Sequence, residues 1–118
     1  MQKIVLVDDY KDWLIVLKEF IEGNNDAKCI TFVNPLDALE YILKGNDVDI
    51  VITDYQMPQM NGFELSKKLV ENSIKARIIV SSGYDTFTLA NIRKQYGLEK
   101  MIEITTKGDM DFLINLCS

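Results

Sequence analysis

One alternation runs the length of the chain and limits its fold more than any other feature. A short oily run rich in β-branched residues gives way to a stretch of helical apolar spacing, and the pair then repeats. KIVLV (3–7) has apolar residues at consecutive positions, the mark of a strand buried on both faces. Trp13, Leu14, Leu17, Phe20 and Ile21 then recur at helical spacing over 11–22, with Gly23-Asn24 as the stop. KCITFV (28–33) reads as the second strand. Asn34-Pro35 opens the second helix, with a side-chain cap and a proline whose missing N–H costs nothing there. Leu36, Leu39, Ile42 and Leu43 are its expected inner face, and Gly45 closes it. DIVIT (49–53), RIIVS (77–81) and MIEIT (101–105) supply three more strands. Helices are expected over 63–72, from Asp85 to about Tyr96, and over 109–117.

Such an alternation implies an α/β fold, a doubly wound, five-stranded parallel sheet with helices on both faces. Right-handed crossovers leave few topologies, and a single domain over 1–118 points to the flavodoxin-like order 2-1-3-4-5. In sheets of this kind the working site lies beyond the carboxyl ends of the strands, at the switch point between strands 1 and 3.

Composition removes several function classes. Net charge is −5, and no basic stripe is present, which argues against direct nucleic-acid binding. With no histidine, neither histidine acid–base catalysis nor histidine metal ligation is available. Cys29 and Cys117 lack metal-type spacing and sit in apolar surroundings, so buried thiols in a reducing cytoplasm are expected. The first apolar run stops at Asp8, too short for a signal peptide or a membrane span.

The residues just past the strands carry the chemistry. Asp8 and Asp9 follow strand 1, and Asp54 follows strand 3. Ser81, Ser82 and Gly83 follow strand 4, and Thr105, Thr106 and Lys107 follow strand 5. Taken singly, each has an ordinary explanation. An aspartate after a strand is usually a turn or helix cap, a lone lysine is usually solvated, and a serine there is usually a turn residue. Their convergence on one sheet edge is what asks for a function. Three clustered carboxylates need compensation to stay ionised, and a hard divalent cation such as Mg²⁺ supplies it with oxygen ligands. The backbone carbonyl of Gln56 would add one more oxygen. One carboxylate could then attack a phosphoryl group, with Lys107 and Ser82 stabilising the transferring oxygens.

The same residues resemble the receiver domain of two-component response regulators over essentially the whole chain. VDDY (7–10) is similar to the acidic pair after the first strand. DYQMPQMNG (54–62) resembles the block D-x-x-M-P-x-M-[DN]-G with no mismatch at a signature position. Ser82 and Gly83 resemble the [ST]-[AG] step after strand 4, and Lys107 resembles the lysine after strand 5. The resemblance implies that Asp54 is the phosphoacceptor, Asp9 a direct Mg²⁺ ligand, and Asp8 a ligand acting mainly through water. It implies that Met57-Pro58 stiffens the acceptor loop and that Gly62 permits the turn into the third helix. Gln56 and Tyr84, two residues after Asp54 and Ser82, would flank the phosphoryl group and tune its hydrolysis. The donor would be a phosphohistidine on a sensor histidine kinase or histidine phosphotransfer protein. Output would run through the 85–117 face to another protein, from a cytoplasmic monomer or weak homodimer. The short last helix leaves two expectations, a compact terminus or a module of a longer regulator.

Two positions depart from the family pattern. Gly108 stands where proline usually follows the lysine, so the loop that aims Lys107 has to be built differently. Ile104 stands where the switch aromatic usually lies, which leaves the usual serine–aromatic coupling without its ring. A degenerate receiver that binds partners without phosphorylation is the main rival reading. A flavodoxin-type carrier is disfavoured because DDYKD (8–12) would repel a flavin phosphate. A haloacid-dehalogenase-like phosphatase needs a second acid at position 56, which is Gln.

Overall fold

A computed structural model describes residues 1–118. The strands are β1 (Gln2–Val7), β2 (Ala27–Phe32), β3 (Ile50–Asp54), β4 (Arg77–Ser82) and β5 (Glu103–Thr106). The helices are α1 (Lys11–Asn24), α2 (Pro35–Leu43), α3 (Gly62–Glu71), α4 (Thr86–Gln95) and α5 (Met110–Ile114). All strand pairs are parallel, and the order is β2-β1-β3-β4-β5, as expected.

Consecutive apolar residues in the central strands serve two cores at once. Val5, Val7, Val51, Ile78 and Val80 face α2, α3 and α4, where they meet Ala38, Ile42, Phe63, Leu69 and Leu89. Ile4, Leu6, Ile50, Ile52 and Ile79 face α1 and α5, where they meet Leu14, Leu17, Ile21, Leu113 and Leu116. That is why β1 shows a run and not an alternation: Ile4 to Val7 are all buried.

Helix ends follow local chemistry. The Asn34 side chain accepts from the Leu36 N–H at 2.9 Å, with Pro35 in the first turn. Asp85 accepts from the Thr88 N–H at 2.8 Å and caps α4. Asn61 and Glu64 form a reciprocal capping box at α3.

Several boundaries and faces differ from the sequence expectation. The inner face of α2 is Pro35, Ala38 and Ile42, whereas Leu36 and Leu43 are exposed. Size misled there: the small Ala38 lets the helix lie close to the sheet, and the larger leucines sit on its flanks. Strand β5 begins at Glu103 and not at Met101, because the Leu98 carbonyl accepts from both the Met101 and Ile102 N–H groups. That extra turn follows a Schellman stop to α4. Gly97 takes φ +70°, its N–H reaches the Lys94 carbonyl, and the Leu98 N–H reaches that of Arg93. Helix α1 continues through Gly23 to Asn24, its last carbonyls accepting from the Asn24 and Asn25 side chains. Helix α5 ends at Ile114, and turns carry the chain onward to a buried Leu116. Cys29 is buried, but Cys117 is only half-buried; both are free thiols.

Candidate functional site

Because β1 and β3 are neighbours, their carboxyl ends place Asp8, Asp9 and Asp54 side by side. One carboxylate oxygen from each lies within 4.8 Å of the others. The three are not equivalent. Asp8 is 3% exposed and its oxygens are both occupied, one by the Tyr10 N–H at 2.9 Å and one by Lys107 Nζ at 2.8 Å. Asp9 is exposed, open to solvent and to a ligand. Asp54 is half-buried, and its Oδ1 accepts from the Tyr55 N–H at 2.8 Å.

Lys107 closes the group from β5. Its backbone N–H donates to the Ser82 carbonyl at 2.9 Å, continuing the β4–β5 ladder past the last strand residue. The side chain then turns back over the sheet edge, with Nζ 2.8 Å from Asp8 Oδ2 and 3.4 Å from Asp54 Oδ2. Gly108 makes this possible without proline: it adopts φ +81°, a conformation that proline's ring forbids, and no peptide bond in the chain is cis. Lys100 lies in an exposed turn within the α4–β5 connection, outside the strand.

The electrostatics follow from burial and charge. Burial and the neighbouring Asp8 carboxylate push Asp54 above the ordinary carboxylate range, although Lys107 and the Tyr55 N–H pull the other way. Burial pulls the Lys107 ammonium down, but its hydrogen bond to Asp8 and the charges of Asp54 and Asp8 outweigh this and raise it. Lys107 therefore remains a fixed cation between two carboxylates. The donors are all hard oxygens, which suits Mg²⁺ rather than a soft metal.

Ser82 is 4% exposed, and its Oγ accepts from the Tyr84 N–H at 3.2 Å, which folds the β4–α4 turn. Gly83 is exposed with open space around its Cα. The side chain of Gln56 is exposed on the β3–α3 loop. Tyr84 does not stand free: its ring packs edge-on against Tyr55, centroids 5.5 Å apart.

The β3–α3 loop that follows Asp54 is anchored at both ends. Thr53 Oγ1 donates to the Asp54 carbonyl at 3.0 Å, and Met57 Sδ lies 3.9 Å from the same hydroxyl. Beyond Pro58, Gln59 takes φ +70° and Met60 turns into the core. Gly62 is required for a reason that differs from the turn freedom expected of it. A Cβ at this position would sit 2.2 Å from the Asp54 carbonyl oxygen. The start of α3 packs directly on the backbone of Asp54, with the Gly62 N–H donating to the Tyr55 carbonyl at 2.7 Å.

Sequence reasoning did not single out Tyr55, Asn61 or Tyr96, although all three help to build this region. The N-G-F-E stretch (61–64) carried a capping-box signal at Asn61. Nothing local marked the two tyrosines.

Comparison with known proteins bears on the same residues. The family model described as response regulator receiver domain matches residues 4–114. The chain belongs to this family. Among curated relatives of the receiver, it is similar to the transcriptional regulatory protein NatR of Bacillus subtilis, 26% identical over 75% of the chain and 38% of that protein. It is also 28% identical to a Thermotoga maritima protein-glutamate methylesterase/protein-glutamine glutaminase, over 94% of the chain and 29% of that protein. The chain thus spans well under half the length of these two relatives. A Francisella response regulator receiver domain superposes with TM-score 0.82 at 24% identity, over 98% of this chain and 93% of that one; it speaks to the fold. No helix is long and apolar enough to cross a membrane.

Proposed function

We propose that the chain is a phosphorylation-dependent signalling switch, a single receiver domain over 1–118, in which Asp54 is the phosphoacceptor. The observation that carries the reading is the clustering of Asp8, Asp9 and Asp54 with Lys107 bridging Asp8 and Asp54. The donor is a phosphohistidine on a sensor histidine kinase or histidine phosphotransfer protein. A carboxylate oxygen of Asp54 forms a bond to phosphorus as the phosphorus–nitrogen bond of the donor breaks. The electron pair returns to that nitrogen, and the donor ring, protonated on its other nitrogen, leaves as neutral imidazole.

Asp9 and Asp54, with the Gln56 carbonyl and with Asp8 acting through water, would hold Mg²⁺. When bound, the ion neutralises charge that builds up on the phosphoryl oxygens. Lys107 pairs with the phosphoryl group once Asp54 is phosphorylated, which moves its partner preference away from Asp8. Ser82 supplies a hydroxyl donor to the same oxygens after leaving its turn bond with Tyr84. Tyr84, held by Tyr55 beside the loop, restricts water and lengthens the phosphorylated lifetime. The altered loops bias the 85–117 face toward an output protein in the cytoplasm. The chain acts on no substrate other than its own aspartyl group, and works as a monomer or weak homodimer without contacting nucleic acid itself.

Intact mass after incubation with Mg²⁺ and acetyl phosphate tests this directly. The expected result is a gain of one phosphoryl group that is absent from Asp54→Asn and absent with chelator. Tyr84→Ala should then lose the group faster than the unaltered protein. A folded, Mg²⁺-binding protein that gains no mass would instead support a degenerate receiver whose 85–117 face docks constitutively.

A further inference from the structure

The acceptor loop and the far end of α4 are joined by a run of stacked rings. The Tyr55 N–H grips Asp54 Oδ1, and the Tyr55 ring lies 5.5 Å from that of Phe63 at an interplanar angle of 57°. Phe63, fully buried, stacks on Tyr96 at 5.8 Å and 20°. A polar strap runs beside the rings: the Asn61 side-chain amide donates to the Tyr96 hydroxyl at 3.1 Å. Asn61 also caps α3, and Tyr96 caps the end of α4 immediately before its Schellman stop. Each link therefore joins two positions whose backbones are already pinned.

We propose that this Tyr55–Phe63–Tyr96 column, with Asn61, carries the charge state of Asp54 to the last turn of α4, with Tyr96 as the positioning residue at the receiving end. It rests on the reading of Asp54 as phosphoacceptor. The driving event is local. A hydrogen bond from an amide to an ionised carboxylate is charge-assisted, and phosphorylating the other oxygen of Asp54 turns the carboxylate into an acyl phosphate and removes the carboxylate charge that strengthens it. Weakening that bond frees the Tyr55 backbone beside Gly62, whose contact with the Asp54 carbonyl leaves no slack. Phe63 is fully buried and has no room to give way, so a shift of the Tyr55 ring against it is passed on to the Tyr96 ring stacked on its other side. The last turn of α4 then repacks through Tyr96.

Backbone amide resonances of Gly97 and Leu98 report on that turn, and two perturbations at Asp54 are compared. Asp54→Asn neutralises the carboxylate without chemistry; acetyl phosphate with Mg²⁺ phosphorylates it, with intact mass as the check. In the otherwise unaltered protein, both should move the Gly97 and Leu98 signals. In Tyr96→Phe, which keeps the ring and loses the hydroxyl, the displacement caused by Asp54→Asn should fall by at least about half, while that at Tyr55 persists. Asn61→Ser, which keeps a capping oxygen but cannot reach Tyr96, should do the same. Gly97 and Leu98 signals that do not move, or that move equally in both variants and the unaltered protein, overturn the column. If no phosphoryl group is gained, the phosphoacceptor reading fails and the Asp54→Asn arm still decides the column. If it is gained and Gly97 and Leu98 stay put, the column fails alone.

Discussion

Asp54 costs the metal-free protein stability at neutral pH. Its carboxylate is held above the ordinary range by burial and by Asp8, so its protonated form favours the folded state. That contribution is complete at pH values below the ordinary carboxylate value and is lost as pH rises through the folded one. At neutral pH with chelator, Asp54→Asn should therefore unfold at a higher urea concentration than the unaltered protein. Added Mg²⁺ should narrow the difference, since only the native carboxylate offers the ion its full charge. The same environment explains how legible the site was. Aspartates after strands and a lysine after the last strand were visible as residue types at expected places. That Lys107 lies closer to Asp8 than to Asp54 was not, because strand spacing says nothing of where a long, flexible side chain settles.

Backbones meet closely where β3 hands over to α3. The α3 capping box sets the helix start, and Gly62 then lies against the Asp54 carbonyl. Gly62→Ala should cost roughly 1–3 kcal/mol in urea unfolding, the range for forcing a methyl into a packed site. The clash is with backbone, so the acceptor loop has to yield, and the rate of mass gain from acetyl phosphate should fall with it. Helix caps were readable because Asn34-Pro35 and Asp85 act on N–H groups within three residues of themselves. The start of β5 was not. MIEIT (101–105) has strand composition throughout, but the Leu98 carbonyl captures Met101 and Ile102 for a turn. The inner face of α2 was misjudged for a related reason: spacing marked the leucines, while close approach to the sheet selected Ala38.

Across the whole molecule, one sheet separates two cores, and Asp54 stands at the edge where the strands end. Arg77 ties the α1–α5 side together at the opposite edge, with Nη2 2.7 Å from Glu103 and Nη1 3.0 Å from the Leu116 carbonyl. Cys29, facing α1, reports on the integrity of that core. Burial, then the Glu22 charge, push its thiol from 9.0 up to about 12. In native protein at pH 8, Cys117 should react with a thiol reagent first. Cys29 should react at least ~100-fold more slowly and only through opening of the core. The thiol's own contribution to stability holds below its ordinary value and is lost as pH climbs toward about 12.

Periodicity and punctuation, which act over a few residues, were enough to order the strands and helices, to choose a parallel sheet and to bring the acidic pair, Asp54, Ser82 and Lys107 to one edge. They could do so because a run of consecutive apolar residues has only one economical use, a strand covered on both faces. Contacts between distant segments answer to packing instead. The hold of Lys107 on Asp8, the 2.2 Å constraint at Gly62 and the rings from Tyr55 to Tyr96 all depend on which side chains the folded sheet and helices bring within reach. No local spacing encodes such meetings; close packing among residues far apart in the chain creates them.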